Sequence, residues 1–491
     1  MGFAKSFSQV YWGVLFCLPF GFSYTALRFS TLTIALGALL ALYGLMREAG
    51  AGSRTALFGV LVLAFNPLFF VLSFTFMTDV PFLGLTLVAM YLLVRSMRRQ
   101  SKIELVLGLL AATAALLTRQ TGLALFFALS LGYLVKDGLA KRNVMRVAGP
   151  TLLGLGVQFS YQTWLRTTGR MPALFGKPAL AALDVGSLSM LTAMRHEAKG
   201  VFFALMYVGL FILPLLLFFG CRRWRAMWRQ QRWIAILTSV LLLMVFAALP
   251  RPRLMPLLGN VLYDFGLGPL TLRHDLIPLP SAGPVFWSVV TVIGLLAAAL
   301  VLQILISAVL QLVGTRGKHQ ELLLMLVATG VIYFIPLPLV PTMFDRYYLL
   351  LVPLATVALY LICSPGNAPS RQWTALGVLC LLTYGAFTIA GTHDYLAWQR
   401  TRWQVLRELT VARHIPPEQI DGGYEFNCTY TYPGQMPAVG DDLLITFGPV
   451  PGYAEAERDT FRRWLPPGEG TIFVLRKIPG APTVPRAGND E

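Results

Sequence analysis

Ionisable residues at the edges of long apolar runs are the first to account for, because burying such groups is costly. Asp79 stands in SFTFMTDVPF and Arg119 in ALLTRQTGLA, while Asp345, Arg346, Tyr347 and Tyr348 precede the run LLLVPL. A carboxylate at Asp79 can accept a proton, orient an acceptor or help hold a divalent metal. A guanidinium such as Arg119 or Arg346 offers a planar fork suited to phosphate and stays protonated. Asp345 and Tyr347 would serve the same lipid-phosphate or substrate site. Each has a structural reading beside the chemical one. Thr78 or Asp79 can cap the helix that Val80-Pro81 opens. Arg119 can snorkel to lipid headgroups. Asp345 and Arg346 can form a surface pair within an aromatic belt.

Two further clusters lie in more polar stretches. Asp264, Arg273, His274 and Asp275 fall within residues 250–284. A loop of that length is often functional, and Arg273 and His274 can act on a substrate, although a solvated turn explains them as well. IDGGYEFNCTY at 420–430 opens with the turn signal Asp421-Gly422-Gly423. It reads as a recognition loop or as a turn feeding a strand. Arg28 marks the outer end of a span. The five cysteines show no metal or disulfide spacing.

The elements that must position these groups follow from composition. The chain has 491 residues, 56% hydrophobic and 13% charged, with a mean hydropathy of +0.65. A soluble domain carries roughly a quarter charged residues. Twelve apolar runs predict spans at 24–46, 55–75, 80–94, 103–118, 123–135, 147–166, 200–220, 233–249, 285–313, 321–339, 347–363 and 372–391. Residues 9–22 form a shorter apolar segment that suits the membrane interface, as does an amphipathic helix over 179–196. The loops alternate in charge. One set (47–54, 95–102, 136–146, 221–232, 314–320 and 364–371) holds 18 Lys/Arg in 54 residues, and the opposite set holds 10 in 106. The denser set is expected to be cytoplasmic. That places Asp79, Arg119 and Arg346 together at the outer surface. The net charge of +17 lies in these short loops, so it does not indicate a nucleic-acid partner.

After residue 391 the chain becomes polar. Helix-like spacing covers 395–412, and strand-like runs follow at 443–447 and 472–476. The expected organisation is an interfacial segment over 1–23, a transmembrane domain over 24–391, an extracytoplasmic α+β domain over 392–478 and a disordered tail over 479–491. The fold class is therefore an all-α polytopic membrane protein of about twelve transmembrane helices, with a small C-terminal α+β domain.

The runs ALRFSTLTIALGALLALYGLMREAG, NPLFFVLSFTFMTDVPF and GLLAATAALLTRQTGLAL, between about 24 and 136, resemble the GT-C membrane glycosyltransferases. That group includes the dolichyl-phosphate-mannose protein mannosyltransferases and the bacterial aminoarabinose transferases. DRYY before a late span fits the bacterial members. The resemblance implies a polyprenyl-phosphate sugar donor, a lipid, glycan or protein acceptor, and transfer at the outer face of a bacterial inner membrane. It also implies a carboxylate base, for which Asp79 is the available residue, and a divalent metal ion beside it. Basic residues would hold the leaving lipid phosphate. The family pattern begins with one more span and an acidic outer loop, which are not found here, and residues 2–22 resemble the tail of that loop. A lipid-linked glycan flippase or transporter, and a catalytically inactive truncated homologue, are the alternatives.

Overall fold

The computed structural model describes residues 7–19, 21–138, 140–170, 190–249, 254–272, 280–313, 319–338, 343–363, 370–430 and 442–480. Two compact units emerge. One comprises 1–258 and 285–385, and the other 259–284 and 386–491.

The first unit is helical. An apolar chain in lipid must satisfy its own backbone groups, and a helix does so within one segment. Each of the twelve predicted runs falls on helix for all or most of its length. Among the described residues, six helices are long and apolar enough to cross a membrane, or up to eight if each bent pair is one span. Lys102–Thr118, Leu123–Asp137 and Gln320–Phe334 have 17, 15 and 15 residues. Fifteen residues rise only about 22 Å, short of a hydrocarbon core of about 30 Å. Val144–Thr167 is long enough but carries Arg146, Gln158, Gln162 and Arg166.

The run at 55–75 is a bent pair, Ser53–Ala64 and Pro67–Ser73, which meet at 68°. Asn66 makes the break. Its Oδ1 accepts the backbone N–H of Leu68 (3.0 Å) and Phe69 (3.1 Å), and Pro67 needs no partner at the first helical position. The run at 200–220 is similarly bent by 62° between Met194–Phe211 and Leu213–Gly220.

The helix Asp79–Arg99 is the most buried of the six spans. Gly84 lets the Tyr24–Glu48 helix approach, since a side chain there would strike Ile34, and Gly108 does the same for Leu93. The two ends of this helix carry different chemistry. At its C-terminal end Arg98 binds Glu48 (2.9 Å) and lies 3.0 Å from His319 Nδ1. At its N-terminal end stands the Asp79 cluster. Residues from loops 47–54, 95–102 and 314–320 thus share one end. Those from 76–79, 119–122 and 340–346 share the other, the grouping that the alternating loop charge predicts. The apolar segment near the N-terminus is the helix Phe7–Cys17. Trp12 Nε1 donates to the Ser30 carbonyl (2.8 Å) and Gln9 Nε2 to that of Phe76 (3.0 Å).

The second unit holds a four-stranded sheet in the order β3-β4-β6-β5, where β3 is Ile420–Asp421, β4 Leu443–Thr446, β5 Tyr453–Trp464 and β6 Pro467–Lys477. β3 runs parallel to β4, and the other pairs are antiparallel. β4 is buried along its whole length. Residues 259–284, which contain the small hairpin β1 (Leu262–Tyr263) and β2 (Gly266–Leu267), belong to this unit as well.

Three expectations change here. The span expected to end at 391 and the helix expected from 395 are one 37-residue helix, Arg371–Arg407, because no proline or glycine pair interrupts the 391–395 stretch. IDGGYEFNCTY is not a turn feeding a strand: β3 enters the turn and the helix Tyr424–Tyr430 leaves it. β5 carries AEAERDTFRRW and shows almost no buried face, so no apolar alternation announces it.

Candidate substrate site

The turn Met77-Thr78-Asp79 connects a buried helix to the one before it, and its side chains face a second arginine-bearing turn. The helix Lys102–Thr118 stops at Arg119, whose backbone is extended (φ −145°, ψ 133°). Arg119 Nε and Nη2 donate to Thr78 Oγ1 at 3.0 and 2.8 Å, and Nη2 also donates to Asp79 Oδ1 at 2.8 Å. Thr78 makes no side-chain cap bond to the following helix. Its hydroxyl serves Arg119 instead. The Asp79 side chain is 2% exposed and that of Arg119 21%. Arg119 is therefore engaged inward, not reaching for headgroups.

The third contributor comes from far along the sequence. Residues Asp345–Tyr348 form a single 3₁₀ turn. Asp345 is fully buried, and its Oδ1 accepts the Arg346 backbone N–H at 2.7 Å. Of the two readings open for Asp345, the exposed pair with Arg346 is not found: its carboxylate is buried and fixes the turn. The Arg346 guanidinium lies over the Phe344 ring (4.8 Å) and the Tyr347 ring (5.9 Å), with Nη1 3.6 Å from Met77 Sδ. Arg119 lies 5.8 Å from the same Tyr347 ring and 5.9 Å from that of Phe82. One aromatic ring is thus shared by two guanidinium groups, each within cation–π range. Tyr333 donates its hydroxyl to the Tyr347 carbonyl (2.7 Å) and stacks on Phe82.

Asp79, Arg119, Asp345, Arg346 and Tyr347 are thereby gathered at one end of the helical unit. Arg273 and His274 lie outside the described residues. Asp264 belongs to the second unit, where its carboxylate accepts the Ala282 N–H at 2.8 Å and the Ser281 hydroxyl, as a turn residue does. Two polar atoms of the cluster are buried without a hydrogen-bond partner: Asp79 Oδ2 and Arg346 Nε. An unused acceptor and an unused donor are what a bound hydroxyl and a bound oxyanion would each satisfy. Sequence reasoning missed Thr78 as a hydroxyl ligand, and it missed Met77, Phe82 and Tyr333. Phe82 could have been found, since it lies three residues after Asp79 on one helix face. Tyr333, inside an apolar run, gives no such signal.

Among the described residues no three His, Cys, Asp or Glu side chains are grouped to hold a metal ion. Asp79, already bound to arginine, and Asp345, which accepts the backbone N–H of its own turn, are a poor donor set for a divalent cation. The described residues therefore do not by themselves fit the metal that the resemblance implies.

No curated protein and no solved structure matches the chain. Residues 10–164 match the model of the dolichyl-phosphate-mannose-protein mannosyltransferase family. The matched span holds Thr78, Asp79 and Arg119 and ends before Asp345. The N-terminal part of the chain, which carries the buried carboxylate and its paired arginine, is thus similar in sequence to the dolichyl-phosphate-mannose-protein mannosyltransferases.

Proposed function

We propose that the chain transfers a sugar from a polyprenyl-phosphate donor to a lipid, glycan or protein acceptor at the outer face of a bacterial inner membrane. Twelve membrane passages, with the C-terminal unit on the outer side, belong to this proposal. The observation that supports it most is Asp79, buried, with one oxygen tied to Arg119 and the other without a partner. An acceptor hydroxyl hydrogen-bonded to Oδ2 would attack the anomeric carbon. The new carbon–oxygen bond forms as the bond from that carbon to the phosphate oxygen breaks, with inversion. The hydroxyl proton passes to Asp79, and the lipid phosphate departs with the bonding electrons. Arg346, with an unused Nε–H, and Arg119 are placed to hold that negative charge. Tyr347 offers its ring to both guanidinium groups, and Asp345 fixes the turn that carries Arg346.

The test is transfer of labelled sugar in membranes supplied with polyprenyl-phosphate donors. General-base catalysis contributes about 10²–10⁴-fold, so Asp79→Asn should lose at least 100-fold in rate. Arg346→Gln should weaken donor use while leaving Asp79 in place. A wild-type rate in Asp79→Asn, or reporter fusions that put residue 79 in the cytoplasm, would overturn the assignment. The two bent helix pairs give the transporter reading its one support, since transporters use broken helices. Uptake of lipid-linked sugar by vesicles without transfer would favour it.

A further inference from the structure

The structure assigns a second binding surface, a docking site for anionic phospholipid headgroups on residues 221–233. The inference rests on the chain being a membrane protein and not on the transfer chemistry.

The sequence there is CRRWRAMWRQQRW, with Arg222, Arg223, Arg225, Arg229 and Arg232 and no acidic residue. The acidic residues nearest along the chain are Glu197 and Asp264. A helix runs through this stretch but is broken just before it and again within it. Gly220 has φ +67° and ψ 174°, and Gln231 has φ −127° and ψ 29°. Residue 220 closes the second half of one bent apolar pair, and the apolar helix Trp228–Ala248 begins inside the stretch. Residues 221–230 are thus a helical piece between the two breaks, overlapping the start of the candidate span Trp228–Ala248. A side chain at Gly220 would strike Trp373, so the left-handed break there is also closely packed.

Within residues 221–233, Arg225, Arg229 and Arg232 are exposed, and so are Trp228 and Trp233, at 50% and 70%. The Arg232 guanidinium lies over the Trp233 ring at 5.2 Å. Two exposed indoles on a soluble surface would be a liability. At a bilayer interface they sit at headgroup level, where arginine pairs with phosphate. Charge complementarity selects the occupant. Five arginines in a stretch with no Asp or Glu between residues 198 and 263 fit the negative surface of a leaflet. The loop-charge pattern puts this segment on the side expected to be cytoplasmic.

The test uses the full chain in mild detergent, equilibrated with limiting phosphatidylglycerol or phosphatidylcholine, with retained lipid extracted and quantified. The wild type should retain phosphatidylglycerol in preference to phosphatidylcholine. A surface arginine contributes about fivefold to anionic-lipid affinity, so Arg225→Gln/Arg229→Gln/Arg232→Gln should lose roughly 100-fold. The corresponding triple lysine variant should stay within a few-fold of wild type, since it keeps the charge. If the glutamine variant does not fold, Arg229→Gln alone should lose about fivefold. Equal retention of the two lipids, or full phosphatidylglycerol retention by the glutamine variants, overturns the proposal. Displacement of the lipid by inorganic phosphate at equal concentration also overturns it, by showing a site for free anions instead of a membrane surface.

Discussion

Thr78 shows how a residue's role is fixed by its partner. Its hydroxyl accepts two N–H groups of Arg119 and so orients the guanidinium that holds Asp79. Thr78→Val keeps the shape and removes the acceptor. It should destabilise the helical unit by about 1–3 kcal/mol, measured by thermal unfolding in detergent, because buried arginine N–H groups lose their partner. A change near zero would mean that Asp79 alone positions Arg119. Asp79, Arg119 and Arg346 were legible in the sequence because charge at the edge of an apolar run is conspicuous. The shared Tyr347 ring and the orphaned Oδ2 were not. Both depend on side chains from helices hundreds of residues apart, and no local spacing encodes that meeting. Asp345 was visible as a site residue or as half of a surface pair, and its burial, decided by the surrounding packing, leaves no local mark in the sequence.

At the level of elements, each predicted apolar run coincides for all or most of its length with described helix, but hydropathy did not count the crossings. The apolar runs say where helix forms. They do not say whether it bends, and Asn66 converts one run into two short helices. The cap explains the bend, so its removal is informative. Asn66→Ala should cost about 1 kcal/mol in unfolding, the usual value of a lost N-cap. Loss of less than a few tenths would mean that Pro67 alone holds the break. The strand β5 stayed hidden for a different reason. It is an edge strand whose side chains are mostly exposed and charged, so the periodic signal of a half-buried strand is missing.

On the scale of the molecule, Arg402 organises the second unit. It is fully buried, with Nε donating to the Gly422 carbonyl (2.8 Å) and Nη1 reaching Thr271, Gln399 and Glu425, each at 2.9 Å. Arg402→Met should destabilise this unit by about 2 kcal/mol or more and open residues 420–430 to protease, while the helical unit keeps its unfolding temperature. Simultaneous loss of both units would refute a local role. The sequence marked a polar C-terminal region from 392 onward but not the recruitment of 259–284 into it. A buried arginine tied to a distant threonine leaves no mark in composition. Thr271 precedes Arg402 by 131 residues. At synthesis rates of ~5–20 residues per second, the segment around Thr271 leaves the ribosome between roughly 7 and 26 s before the arginine that will hold it. During that interval the candidate spans Pro284–Val313 and Asp345–Cys363, the shorter apolar helix Gln320–Phe334 and most of Arg371–Ala412 are synthesised. The C-terminal unit can close only near the end of translation, so a ribosome that stalls before residue 402 leaves Thr271 without the arginine that ties it to this unit, however well the helices have assembled.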